Sequence, residues 1–239
     1  MLANIIGNLL AALIFFVLGI LASKAYSYYR NYYFYNLFRP GWARVPKPTI
    51  VLESIPIDPE HAKKAIGDGC VDALISILPL LRHVSPNRLL CQCKDVNNEI
   101  RKKDLILIGG PMYNTFTAQI FDQLRDKMAL KYDGYAVVDH VTGTKYEAEV
   151  KDQFIVKDYS LITRISNPFN PERVILLIGG SRTCSLSIGG MVLSSRELLR
   201  RIPRDKKVHE FQCIFESEIK DSIVQGPILK VLRPISTQL

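Results

Sequence analysis

Two segments, Leu105 to Gly110 (LILIGG) and Ile175 to Gly180 (ILLIGG), are unbroken apolar runs that stop at a pair of glycines. A run without polar alternation suits a strand buried on both faces, the condition of a strand inside a parallel sheet covered by helices. Hydroxyl or amide residues and then a helical pattern follow each run. After the first come Pro111, Met112, Tyr113, Asn114 and Thr115; after the second come Ser181, Arg182, Thr183 and Ser185. One strand, turn and helix unit therefore occurs twice. In an open parallel sheet both turns lie at carboxyl ends of strands, where helix N-termini present unpaired N–H groups and ligands bind.

The rest of the chain extends this pattern. Of its 239 residues 48% are hydrophobic, enough for a real core and too many for a disordered chain. Beyond Pro48, short β-like runs alternate with helical stretches. Strands are expected at Thr49 to Ser54, Arg88 to Cys93, Asp104 to Ile108, Tyr135 to His140, Tyr146 to Val150, Tyr159 to Ile165, Arg173 to Ile178 and Val208 to Phe215. Apolar spacing predicts helices over Pro59 to Leu81, Thr115 to Leu130 and Ser185 to Arg201, the first with Asp58 available as its cap. Antiparallel hairpins are expected between Tyr135 and Ile165, turning at Thr142-Gly143 and near Lys151-Asp152. The fold class is α/β, a Rossmann-like and mostly parallel sheet with an antiparallel hairpin insertion, preceded by one transmembrane helix.

That helix is read from Ile5 to Ala22, an uncharged run of about 18 positions or about 27 Å of helix. A cleaved signal peptide is the competing reading, but no Lys or Arg precedes the run. Lys24, Arg30, Arg39, Arg44 and Lys47 follow it without an acidic partner, so five of the eight net positive charges sit in the first 48 residues. The positive-inside rule then places the remainder in the cytoplasm, giving a single-pass protein of the cell inner membrane. Tyr26, Tyr28, Tyr29, Tyr32, Tyr33 and Tyr35 supply six of the eleven tyrosines, and are expected to continue the helix through the headgroup layer against lipid. Residues 1–23 are thus read as the span, 24–48 as an aromatic, basic segment with a proline linker, and 49–239 as the cytoplasmic domain.

The basic balance outside the first 48 residues is only +3, so duplex nucleic acid is not an expected partner. The five cysteines, Cys70, Cys91, Cys93, Cys184 and Cys213, are scattered among apolar residues, as reduced thiols would be. No cysteine or histidine spacing completes a metal set, no G-x-S-x-G or H-E-x-x-H occurs, and no cofactor is implied. Asp104 and Asp158, the carboxylates nearest the apolar runs, suit caps or strand edges, and no general acid or base can be nominated. Asn167 and Asn170, each before a proline, suit a rigid turn or a contact to a base or sugar. The candidate ligand site is therefore built from the turns: Gly109, Gly110, Asn114 and Thr115 with Gly179, Gly180, Ser181, Arg182 and Thr183. Glycine lets a phosphate approach the backbone, and Arg182 beside two hydroxyls offers a planar fork for it.

A single span joined to such a domain resembles the membrane-anchored effectors of prokaryotic antiviral signalling, in which a CRISPR-associated Rossmann fold domain binds a cyclic oligonucleotide across a dimer interface. The likeness is carried by Ile178-Gly179-Gly180-Ser181-Arg182-Thr183, similar to the Gly-Gly-Thr-Lys strand end of those sensors, with Ser181 and Arg182 in place of Thr and Lys. It covers about half of the domain. It implies a homo-oligomeric sensor and effector that binds a nucleotide-like anion without breaking a bond. A tethered nucleosidase or glycosyl-transfer enzyme, and a non-catalytic scaffold using the basic cluster from Arg196 to Lys207, are the alternatives.

Overall fold

The computed structural model describes residues 2–38, 47–53, 55–58, 63–65, 67–81, 90–202 and 210–235. The first strands are β1 (Thr49–Leu52), β2 (Ile55–Asp58), β3 (Lys63–Ala65), β4 (Leu90–Gln92) and β5 (Leu105–Ile108). Short strands β6 (Leu130–Asp133), β7 (Ala136–Asp139), β8 (Thr144–Tyr146) and β9 (Glu149–Lys151) follow. Long strands β10 (Phe154–Asn167), β11 (Asn170–Gly180) and β12 (Phe211–Lys220) precede β13 (Ile223–Val224) and β14 (Ile228–Pro234). The helices are α1 (Leu2–Tyr35), α2 (Asp68–Ile77), α3 (Asn98–Arg101), α4 (Thr115–Gln123), α5 (Cys184–Ser194) and α6 (Arg196–Arg200).

The fold is α/β around a mixed sheet. Strands β4, β1, β5 and β11 are parallel, in that spatial order. From β11 onward, β10, β12 and β14 continue the sheet antiparallel. The expectation of a mostly parallel sheet is therefore corrected, and the connection explains why. Only Pro168 and Phe169 separate β10 from β11, and so short a link permits antiparallel pairing alone. Asn167 sets this corner: its amide donates to the carbonyls of Arg101 at 2.6 Å and Lys103 at 2.8 Å, while its oxygen accepts from the Phe169 amide at 2.9 Å. Asn170 donates to the Lys102 carbonyl. Both asparagines are committed to the corner.

Each apolar run packs two layers. On one face, Ile106, Ile108, Leu176 and Ile178 meet α2, α5 and α6; on the other, Leu105, Leu107, Ile175 and Leu177 meet α4 and the β6–β7 hairpin. Every residue of β5 is fully buried, which is why the sequence shows no alternation there. Three expected helices are shorter in the structure. The first begins at Asp68 because Lys63–Ala65 pairs with β2, and its expected start at Pro59 lies outside the described residues. The second ends at Gln123, and Leu130 opens a strand. The third breaks at Ser195, whose side chain accepts from the Leu198 amide and caps α6.

The N-terminal expectation is corrected as well. Among the described residues no helix is long and apolar enough to cross a membrane, so the transmembrane helix and the inner-membrane placement drawn from it lose their support. The aromatic stretch expected at lipid headgroups instead belongs to the domain. Asn31, Phe34, Tyr35, Leu37 and Phe38 are buried, and the Tyr35 hydroxyl donates to the Leu80 carbonyl at 3.0 Å. Arg164, reaching from β10, donates through Nε to the Leu37 carbonyl. The Arg196 guanidinium lies over the ring of Tyr29 at 4.3 Å and donates to its hydroxyl at 2.7 Å; Arg200 donates to the Tyr33 hydroxyl at 3.0 Å. Part of the basic cluster thus grips the tyrosines. Ahead of this seam, side chains from residue 12 to residue 26 are exposed, Phe15 at 73% and Phe16 at 66%.

Replacing Asn167 with Ala removes the donor to the Arg101 and Lys103 carbonyls, and is expected to lower stability by about 1–2 kcal/mol in urea unfolding. A loss below about 0.5 kcal/mol would show that the corner does not depend on those bonds.

Candidate functional site

Parallel pairing aligns Leu52 with Ile108 and Ile108 with Ile178. The next residue of each strand, Glu53, Gly109 and Gly179, therefore stands in one row across the carboxyl edge. Beyond this row lies a cavity of about 360 Å³, bordered by Glu53, Gly110, Tyr132, Gly180 and Arg182, with Tyr113 and Tyr135 at its mouth. That volume falls within the range of about 300–1,000 Å³ typical of small-molecule sites. Both diglycine turns reach the same cavity.

The glycines, however, mainly make room for the protein's own groups. Gly109 has φ +112°, and a Cβ on it would fall 2.6 Å from both Cβ and Oε2 of Glu53. At Gly179 a Cβ would fall 2.1 Å from the Tyr132 hydroxyl, and at Gly180 it would fall 2.1 Å from the Tyr159 carbonyl. Of the four glycines in the two turns, only Gly110 and Gly180 border the cavity. The other expected site residues divide in the same way. Asn114 is wholly buried as the cap of α4, accepting from the Thr117 amide at 3.0 Å and donating to the Ile108 carbonyl at 3.1 Å. Thr115 is exposed as the first residue of that helix and does not line the cavity. Ser181 and Thr183 do line it, but the Ser181 hydroxyl already accepts from the Ala148 amide at 2.7 Å.

Arg182 remains the cation of the cavity wall. Its guanidinium lies over the Tyr135 ring at 4.1 Å, and among the described residues it has no ion-pair partner. Tyr135 is delivered there by the β6–β7 turn, where Gly134 takes φ +59°. The wholly buried Gln212 pins the base of that hairpin, accepting from the Leu130 amide and donating to the Leu130 carbonyl, each at 2.8 Å. Two residues along, Tyr132 packs edge-on against Phe121 at 5.1 Å, and its hydroxyl is buried beside the Gly180 backbone. Burial pushes that phenol above its usual range. The Tyr113 phenol is also raised, chiefly by its closeness to the Tyr135 hydroxyl.

Two carboxyl groups shape the field, and sequence reasoning passed over the first. Glu53 is 5% exposed. Burial raises its pKa, opposed by the Gly67 N–H that donates toward it. The signal was its position directly after a buried strand, although the expected strand ran on to Ser54. Beneath it, burial and the adjacent Glu53 charge push the Cys70 thiol up to about 12, leaving it protonated. Asp158, wholly buried on β10, accepts from the Tyr159 amide at 2.8 Å and the Arg182 amide at 3.2 Å. Its other oxygen has no partner, and burial raises its pKa to about 7. Asp104 also caps, accepting from the Val174 amide and from Arg173.

On the far side of Tyr132 lies a larger cavity of about 600 Å³, bordered by Phe121, Asp122, Arg125, Lys131 and His140. It touches neither pair of glycines, so the smaller one is the candidate site. Among the described residues no three metal-ligating side chains gather. No protein-family model matches the chain, and no curated protein matches it.

Asp158 binds its proton more tightly folded than unfolded. Its contribution to stability is complete below about pH 4 and is lost as pH rises to about 7, an amount on the order of 4 kcal/mol. Asp158→Asn has no proton to lose, so urea unfolding should show it gaining stability over the parent as pH climbs from 4 to 8. Parallel pH profiles for the two proteins would refute the assignment.

Proposed function

We propose that this chain is a ligand-binding protein and that the cavity at the carboxyl edge of β1, β5 and β11 takes a nucleotide-like anion. The observation that supports this reading is the meeting of three parallel strand ends, two of them diglycine, at one cavity with Arg182 on its wall. Stacking on Tyr135 holds the guanidinium in place before a ligand arrives, which reduces the entropy lost on binding an anion. Tyr113, Tyr135 and Met112 offer a flat apolar mouth for a base. Glu53 stands at a strand end, where a carboxyl group can meet ribose hydroxyls, and the parallel half of the sheet is Rossmann-like in this respect. A cyclic oligonucleotide shared between two copies is one ligand of this class.

Glu53 favours a second reading, a nucleosidase or glycosyl-transfer enzyme. A buried carboxyl group with a raised pKa on the wall of a cavity is equipped to exchange a proton with a leaving base.

Calorimetric titration of the full chain with mononucleotides and cyclic oligonucleotides should give saturable binding, and Arg182→Ala should weaken it about tenfold or more. Absence of binding by every compound, or equal affinity in the variant, would remove the sensor reading. Release of free base from a nucleoside, lost in Glu53→Gln, would establish the enzyme; nucleoside recovered intact after prolonged incubation would exclude it.

A further inference from the structure

Helix N-termini at the carboxyl edge of a parallel sheet are the usual seats of phosphate groups, because their first N–H groups lack partners. Three helices begin at this edge, and a side chain of the protein stands at or just ahead of the start of each. At α4, Asn114 accepts from the Thr117 amide. At α5, whose own first residues provide no side-chain cap, Asp158 reaches across from β10 to accept from the Arg182 amide just ahead of the helix. At α2, also without a side-chain cap, the Gly67 N–H donates toward Glu53.

The side-chain charges agree with this accounting. Among the described residues Arg182 is the cation lining the cavity, and no lysine lines it. Glu53 forms part of the wall, and Asp158 lies directly behind the turn that carries Arg182. When ionised, these two carboxylates outweigh the guanidinium. A 5′-monophosphate brings about two negative charges at pH 8, which Arg182 partly offsets; a triphosphate brings about four, and the additional ones would face the carboxylates.

We infer that the cavity selects ligands of low charge, a nucleoside or a nucleotide with a single phosphate group, and discriminates against nucleoside di- and triphosphates. The inference rests on the nucleotide reading above and names the charge class of its ligand. In this arrangement Glu53 serves two ends, offering its carboxyl group to sugar hydroxyls and repelling additional phosphates.

Binding of the full chain to the four common ribonucleosides, their 5′-monophosphates and their 5′-triphosphates, measured at pH 8 and fixed ionic strength, tests it. For the preferred base, the nucleoside or monophosphate should bind at least about tenfold more tightly than the triphosphate. In Glu53→Gln the gap should narrow several-fold, because the substitution removes a charge and keeps the shape; a purely structural role would weaken all three ligands alike. A triphosphate that binds as tightly as the monophosphate overturns the charge inference while leaving the nucleotide site intact. Failure of every compound to bind overturns the nucleotide reading itself. The selectivity of the unaltered protein decides the matter even if the variant does not fold.

Discussion

Parallel pairing of Leu105–Ile108 with Thr49–Leu52 on one side and Ile175–Ile178 on the other is the constraint on which the site depends. It places Glu53, Gly109 and Gly179 side by side where neighbouring strands are only about 4.8 Å apart. Both faces of the sheet are filled at this point, by α2 and α5 on one side and by α4 and the β6–β7 hairpin on the other. A large side chain in the row leaves space for little at the next position. Glu53 takes the space beside Gly109, and Tyr132 closes over Gly179. The cavity is what remains beyond them.

Electrostatics follows from the same layout. Carboxyl groups that end near helix N-termini gain from the dipole and from N–H donors, yet lose through burial. For Glu53 and Asp158 burial prevails, since both have raised pKa values despite their donors. An edge that would otherwise attract phosphate becomes one in which Arg182 is the cation that lines the cavity, and the ring of Tyr135 rather than a carboxylate holds it.

Much of this was legible in the chain. The apolar runs announced buried strands because nothing in them alternates, and the residues after each diglycine announced a turn and a helix. The nearness of the two turns followed from parallel pairing. Other features depend on contacts that sequence does not display. Lys63–Ala65 has an apolar period that continues into a helix, but it pairs with Ile55–Asp58 instead. The tyrosines after the apolar N-terminal run read first as lipid anchors; their engagement by Arg196 and Arg200, about 167 positions away, shows Tyr29 and Tyr33 held by the domain instead. Glu53 was hidden because an acid at a strand end looks like ordinary solvation until the neighbouring Gly109 is known to press against it.

The filling of the glycine spaces by Glu53, Tyr132 and Tyr159 has a consequence for genetics. Any side chain at Gly109, Gly179 or Gly180 must collide with these groups whether or not a ligand is present. A saturation screen would therefore mark the diglycine corners as intolerant even in cells that never meet the ligand, and such intolerance would report on assembly of the strand ends. The positions whose variation separates recognition from architecture are those whose side chains stand at the cavity mouth with room to change, Met112, Tyr113, Tyr135 and Arg182. Divergence between related chains, where it alters the ligand and spares the fold, would be expected to gather there.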